Sequence, residues 1–278
     1  MPRRLRLDAE LVRRGLARSR EQAGELVAAG RVRVNGTPAT KPATGVGTDA
    51  ALVVVEDPTR PDYASRGGHK LAGALAAFGP LGLGVAGRWC LDAGASTGGF
   101  TDVLLRAGAA RVSAVDVGYG QLAWSLRSDD RVVVHDRTNV RDLTPDLIGG
   151  RVQVVVGDLS FISLVLVLDA LLGVTDPGGD LALMVKPQFE VGRDRVGKGG
   201  VVRDPVRRAE AVCAVADAAA ARGWGAQAVT TSPLPGPSGN IEYFLWLRHA
   251  DARVDATTIR EEVRRTAAPG VPGERVDP

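Results

Sequence analysis

Lysine is scarce in this chain. Only four of its 35 basic residues, Lys41, Lys70, Lys186 and Lys198, are lysines. Where arginine is the routine surface cation, each lysine is a candidate for a task that needs an amine. Cysteine is scarcer still: Cys90 and Cys213 are the only two, which argues against a disulfide scaffold and for two buried thiols in a reducing compartment. The three scattered histidines, His69, His135 and His249, give no metal-ligand spacing, so they read as structural and no metal is expected. A membrane-spanning run is also missing. The longest uncharged apolar stretch, residues 71–87, holds five glycines and Pro80 and reads as a helix followed by a loop. The first ten residues carry charge with no apolar segment behind them, so neither a signal peptide nor a membrane partner is expected, and the location is expected to be cytoplasmic.

What is present is an ordinary globular composition, 45% hydrophobic and 24% charged over 278 residues, enough for about two domains. The charge is unevenly placed. Residues 1–41 hold ten Lys/Arg against four Asp/Glu, a net +6, whereas the remainder is −3. A basic head on a near-neutral body points to a polyanionic partner at one end. The expected organisation is a head over 1–60, a linker over 61–67, a body over 68–250, and a helix with a disordered tail over 251–278.

In the head, Leu7, Leu11 and Val12 share one helical face, with Asp8 as cap and Gly15 as stop. Ser19 caps a second helix that Gly30 closes, and Asn35-Gly36 is a hairpin turn within an arginine–valine alternation. The stretch "LDAELVRRGLARSREQAGELVAAGRVRVNG", with "KP" at 41–42, resembles the alpha-L RNA-binding domain named after ribosomal protein S4. The resemblance implies a small α+β RNA-binding domain whose cations meet RNA phosphates: Arg4, Arg6, Arg13, Arg14, Arg18, Arg20, Arg31, Arg33 and Lys41. Such binding is steeply salt-dependent.

In the body, short valine- and leucine-rich runs alternate with helical patterns: 88–92, 111–117, 131–135, 152–158 and 180–186, then 225–231 and 241–248. Near-continuous apolar strands are buried on both faces, which predicts a doubly wound, mostly parallel α/β sheet. Ligands of such sheets sit at the carboxyl ends of the strands. There the loop "LDAGASTGGF" supplies Asp92, Gly94, Ser96, Thr97, Gly98, Gly99 and Phe100, with glycines that let backbone approach a ligand. Its spacing matches neither the dinucleotide fingerprint nor a phosphate-binding P-loop. Asp116, at the end of the next strand, suits a ribose diol.

"LDAGASTGGF" resembles the S-adenosylmethionine loop of FtsJ-like RNA methyltransferases. With "DVGYGQLAW", "GDLSFISL", "VKPQFEVG" and "PLPGPSGNIEYFLWL", and with the head included, the chain resembles the TlyA family of ribosomal RNA 2′-O-methyltransferases, often mislabelled haemolysins. The resemblance implies a Rossmann-like methyltransferase sheet with an antiparallel last strand, and S-adenosylmethionine as cofactor. It also implies adenine contacts from Asn139, and a monomer acting on cytidine 2′-hydroxyls of 16S and/or 23S ribosomal RNA within ribosomal subunits. Lys70, Asp158, Lys186 and Glu242 match that family's catalytic Lys-Asp-Lys-Glu set, with Asp158 also near the methionine end of the cofactor.

A ribose hydroxyl is a poor nucleophile, and alignment alone can supply about 7–11 kcal/mol in favourable cases. Lys186 is expected as proton acceptor or as the group steering the hydroxyl, Lys70 as second cation, and the two acids as orienters of the amines. The glycine-rich loop 191–202 reads equally as a mobile lid, with Arg193, Arg195 and Lys198 available to RNA, or as a solvated loop. Competing readings are a membrane-active haemolysin, a non-catalytic ribosome-binding factor and a pseudouridine synthase; the glycine-rich loop argues against the last.

Overall fold

The computed structural model describes residues 4–55, 57 and 61–265. The tail at 266–278 and, in the expected head, residues 1–3, 56 and 58–60 lie outside the described residues. The chain divides into two compact units, Met1–Asp62 and Tyr63–Pro278.

In the first unit, β1 (Arg4–Arg6) runs directly into α1 (Leu7–Arg13), followed by α2 (Arg20–Ala28). Four short strands follow: β2 (Val32–Val34), β3 (Thr37–Pro38), β4 (Gly45–Gly47) and β5 (Leu52–Val54). β1 pairs with β4, while β3, β2 and β5 form a three-stranded sheet. The two helices bury Leu7, Leu11, Ala23, Leu26 and Val27 against Val32 and Val46. Ser19 Oγ accepts from the Gln22 amide at 3.1 Å, the cap expected for α2. Asn35 and Gly36 both have positive φ, 50° and 82°, as a two-residue hairpin turn requires. Asp8 departs from expectation. It lies inside the first turn of α1, and its carboxylate is held by Arg6 and Arg20 instead of capping the helix.

The second unit opens with α3 (Gly67–Phe78), followed by β6 (Trp89–Ala93), α4 (Gly99–Arg106), β7 (Arg111–Val115), α5 (Trp124–Arg127) and β8 (Val132–His135). Then come α6 (Pro145–Ile148), β9 (Val152–Gly157), α7 (Leu168–Gly173), β10 (Thr175–Val185) and α8 (Pro187–Glu190). α9 (Pro205–Ala220), β11 (Gly225–Thr231), β12 (Tyr243–Arg248) and α10 (Ala256–Arg265) complete it. The seven strands order as β11-β12-β10-β9-β6-β7-β8. β6 to β10 pair parallel, and β12 inserts antiparallel between β10 and β11. This is the Rossmann-like methyltransferase sheet with its antiparallel last strand.

Both faces of the sheet are covered, which is why its strands read as unbroken apolar runs. At the end remote from the carboxyl rim, the fully buried Asp180 accepts from Arg88, Arg248 and the Trp246 indole, tying β10 and β12 to the segment before β6. Residues 63–66, expected as linker, are packed instead. The Ala64 amide donates to Asp102 at 2.8 Å, and Tyr63 lies so close to Gly68 that a Cβ there would sit 2.4 Å from it. Among the described residues no helix is long and apolar enough to cross a membrane.

Candidate active site

Strand register brings the chemistry together at the carboxyl rim of the second unit. Ala93 of β6 pairs with Gly157 of β9, so Gly94 and Asp158 leave the sheet side by side. Gly157 pairs with Leu183 of β10, and Val185 pairs with Tyr243 of the antiparallel β12, so Lys186 and Glu242 emerge at the same edge. Lys70 comes from α3, which packs on α4 and touches β11.

Two ion pairs result. Lys70 Nζ lies 2.6 Å from Glu242 Oε2, with the carboxylate almost fully buried. Lys186 Nζ lies 2.6 Å from Asp158 Oδ1, an ion contact whose angle is not that of a hydrogen bond. The directional bond of Lys186 goes to Ser160 Oγ at 2.8 Å. All four residues of the expected set therefore meet, as two amine–carboxylate pairs. Gly236 must lack a side chain here, since a Cβ would stand 2.5 Å from Glu242 Oε1.

Two cavities meet at this point. The first, about 570 Å³, is lined by Gly94, Ser96, Asp116, Asn139, Asp158 and Ser160, among others. The second, about 360 Å³, is lined by Lys70, Thr97, Gly99, Phe100, Lys186 and Pro235, and shares Gly94, Ser96, Asp158 and Ser160 with the first. These are volumes typical of small-ligand sites. In the first cavity the Asp116 carboxylate accepts from the amides of Ser96 at 2.8 Å and Gly118 at 2.7 Å. Asn139 Oδ1 accepts from the Arg141 amide at 3.0 Å. Gly94 has φ +85°, and a Cβ on it would press on Asp158 O at 3.0 Å and Leu159 at 3.1 Å. A glycine at that φ keeps the passage between the cavities open.

Two loop residues behave differently from expectation. Asp92 lines neither cavity. It is fully buried, accepts from Thr101 Oγ1 at 2.7 Å, and leaves Oδ1 without a partner. Burial pushes its carboxyl up to about 7, against the Thr101 bond; the charges of Asp158 and Asp116 push the same way as burial. It thus braces the start of α4 from beneath. Gly98 also lines neither cavity; at φ +97° it packs against Leu122 and Leu126.

Sequence reasoning missed Ser160, Ser65 and Arg66 in the second cavity and Gln121 and Phe161 in the first. The only signal for Ser160 was its place in the block "GDLSFISL". Of the loop over 191–202, the side chain of Arg193 lies outside the described residues, Arg195 pairs with Glu210, and Asn240 bonds both the Val202 amide and the Gly200 carbonyl. That segment is stitched to the proline-rich loop before β12, which does not fit a freely swinging lid.

In the first unit, several expected RNA ligands are already engaged. The fully buried Glu10 holds Arg13 and Arg14, and Arg14 also donates to the Ala50 and Thr48 carbonyls. Glu10 is held down to about 2, chiefly by the Arg13 and Arg14 hydrogen bonds. Asp8 holds Arg6 and Arg20, and Arg31 holds Asp62 and the Val55 carbonyl. Arg18 bonds Gln22, and Arg33 makes only a 3.4 Å contact with the Gly36 carbonyl. Arg4 and Lys41 make no ion pair among the described residues. A buried acid needs counter-charges, so Arg6, Arg13, Arg14 and Arg20, the partners of Asp8 and Glu10, serve the fold before they serve any partner.

With the geometry in place, comparisons agree with it. The FtsJ-like methyltransferase model matches residues 63–249, and the S4 domain model matches residues 5–51. The chain is 61% identical, over 97% of its own length and all of the relative's, to a Mycobacterium tuberculosis protein named 16S/23S rRNA (cytidine-2′-O)-methyltransferase TlyA. It is 37% identical to a Brachyspira hyodysenteriae protein named Hemolysin A, over 86% of this chain and 98% of that one. A solved structure from Streptococcus thermophilus, described as a haemolysin, superposes with TM-score 0.71 at 39% identity, covering 95% of this chain and 96% of that chain.

Proposed function

The chain belongs to the FtsJ-like methyltransferase family and, within it, to the TlyA proteins; from that premise we propose that it methylates the ribose 2′-hydroxyl of cytidine in 16S and/or 23S ribosomal RNA, with S-adenosylmethionine as donor. The observation that carries this reading is the junction of the two cavities. Asp158 and Ser160 line both, with the Lys186 amine beside them.

The residues of the first cavity fit the donor. A carboxylate at the end of β7 can take a ribose diol, Asn139 stands where a base edge would lie, and Gly94 lets the chain pass the junction. When bound, S-adenosylmethionine supplies an electrophilic sulfonium methyl. The protein's part is to hold a ribose hydroxyl in line with that methyl, which is an alignment task. Lys186 Nζ takes the hydroxyl: as the amine it accepts the proton the oxygen gives up, and as the ammonium it donates to the oxygen and directs a lone pair forward, the hydroxyl proton then leaving to solvent. Asp158 holds Lys186 in place, and the buried Lys70–Glu242 pair stands behind them on the α3 side.

The test incubates the full chain with radiolabelled S-adenosylmethionine and each purified ribosomal subunit, then maps the labelled nucleotide. The expected result is label on a cytidine 2′-oxygen, lost in Lys186→Ala. Absence of label in both subunits, or label undiminished in Lys186→Ala, overturns the reading.

A further inference from the structure

An amine that must point at one hydroxyl needs more than a counter-ion. The contact between Lys186 Nζ and Asp158 Oδ1 is close, at 2.6 Å, but lacks hydrogen-bond geometry, so it supplies charge without direction. The directional contact is the 2.8 Å bond from Lys186 Nζ to Ser160 Oγ. Nitrogen in lysine is tetrahedral. Fixing one N–H vector fixes the torsion about the Cε–Nζ bond, and with it the directions of the other two positions. Ser160 lines both cavities, so it stands where donor and acceptor must meet.

The loop that carries Ser160 is itself pinned. On one side the Asp158 amide donates to the Ala93 carbonyl at 3.1 Å. On the other, Glu190 of α8 accepts from Ser163 Oγ at 2.5 Å and from the Leu164 amide at 2.8 Å. Between these anchors Phe161 takes a left-handed φ of +65°, a conformation that costs a non-glycine residue energy and persists where the surroundings impose it. α8 begins one residue after Lys186, so Glu190 ties the serine's loop to the lysine's own segment.

We propose that Ser160 is a positioning residue for the methyl transfer: its hydroxyl sets the orientation of the Lys186 amine toward the acceptor 2′-hydroxyl. This rests on the function proposed above. Ser160 is exposed, so truncation leaves no hole in the core.

The experiment compares the wild type, Ser160→Ala and Ser160→Thr as full chains, using radiolabelled S-adenosylmethionine and a purified ribosomal subunit. The expected result for Ser160→Ala is a kcat reduced about tenfold, with KM for the subunit and Kd for S-adenosylmethionine within about twofold of wild type. Ser160→Thr, which keeps the hydroxyl, recovers kcat to within about threefold. An unchanged kcat in Ser160→Ala overturns the inference. So does equal impairment of the alanine and threonine variants, or a loss of S-adenosylmethionine affinity that parallels the loss of kcat, because either reports loop packing. A wild type that transfers no label removes the function and this inference together, whereas a labelling wild type with an unimpaired alanine variant removes only the inference.

Discussion

Asp92 shows at the scale of one residue why a motif position beside a ligand cavity need not line it. Its carboxyl is fully buried and pushed up to about 7, against an unfolded value near 3.8, first by burial. The native state therefore binds a proton that the unfolded state has lost between these values, and stability falls as pH rises from about 4 through 7. Across pH 5 to 8 this one group removes about 2–3 kcal/mol. Urea unfolding of the wild type and Asp92→Asn at both pH values is expected to show that slope in the former and its loss in the latter. The Lys70–Glu242 pair makes the opposite case. Removing one partner strands a buried charge, and Glu242→Ala is expected to cost about 3–5 kcal/mol in denaturant unfolding. The double variant Lys70→Met/Glu242→Gln is expected to recover most of that stability while methyl transfer stays lost. Recovered transfer would show that the pair serves only the fold.

At the scale of elements, the loop between β6 and α4 is what a single methyl group can close. Gly94→Ala is expected to weaken S-adenosylmethionine binding at least tenfold by calorimetry, because the added Cβ meets Asp158 O and Leu159 where the cavities join. Gly149→Ala is the matched control. It has a similar φ, +88° against +85°, with nothing within 4 Å of the new Cβ, so it shares the backbone strain of about 1–2 kcal/mol and keeps the affinity. The elements themselves were largely legible. α9 opens on a local signal, with the Asp204 carboxylate capping the Val206 amide and Pro205 at the first helical position. Valine runs announced strands buried on two faces, whereas Glu242 was reached through the family resemblance. Lys70 was different, because its arrival depends on how α3 packs on α4, and helix–helix packing leaves no local signature. Ser160 was hidden for the same reason: a serine in a loop has no periodicity, and only the register of β9 against β10 shows which lysine it meets. Nothing local in the sequence marks Glu10 as buried, and only the tertiary fold reveals that it is and that it engages two arginines.

At the scale of the whole molecule, that last point separates two kinds of basic residue that the +6 charge of residues 1–41 merges. Cations facing phosphate release counterions on binding, so the logarithm of the affinity falls linearly with the logarithm of salt, by roughly 0.7–0.9 per phosphate neutralised. Arg4 and Lys41, with no ion pair among the described residues, are the candidates we propose for this kind. Each alanine substitution there is expected to flatten the salt slope of ribosomal RNA binding by about 1 and to leave the thermal midpoint unchanged. Arg14 is of the other kind. Its side chain is mostly covered and bonds the buried Glu10 together with the Ala50 and Thr48 carbonyls, so Arg14→Ala is expected to lower the thermal midpoint of the first unit by several degrees. Binding at low salt, measured well below that midpoint, should then keep close to the wild-type slope. On the proposed function, S-adenosylmethionine is held in the second unit's cavity lined by Asp116, Asn139 and Gly94, so its affinity should respond to none of the three variants. Filter binding across a salt series, paired with thermal unfolding and calorimetry, reads all three quantities. A salt slope that Arg14→Ala flattens as much as Arg4→Ala does would mean that the ion pairs around Glu10 open when RNA arrives, and that the head trades internal partners for phosphates.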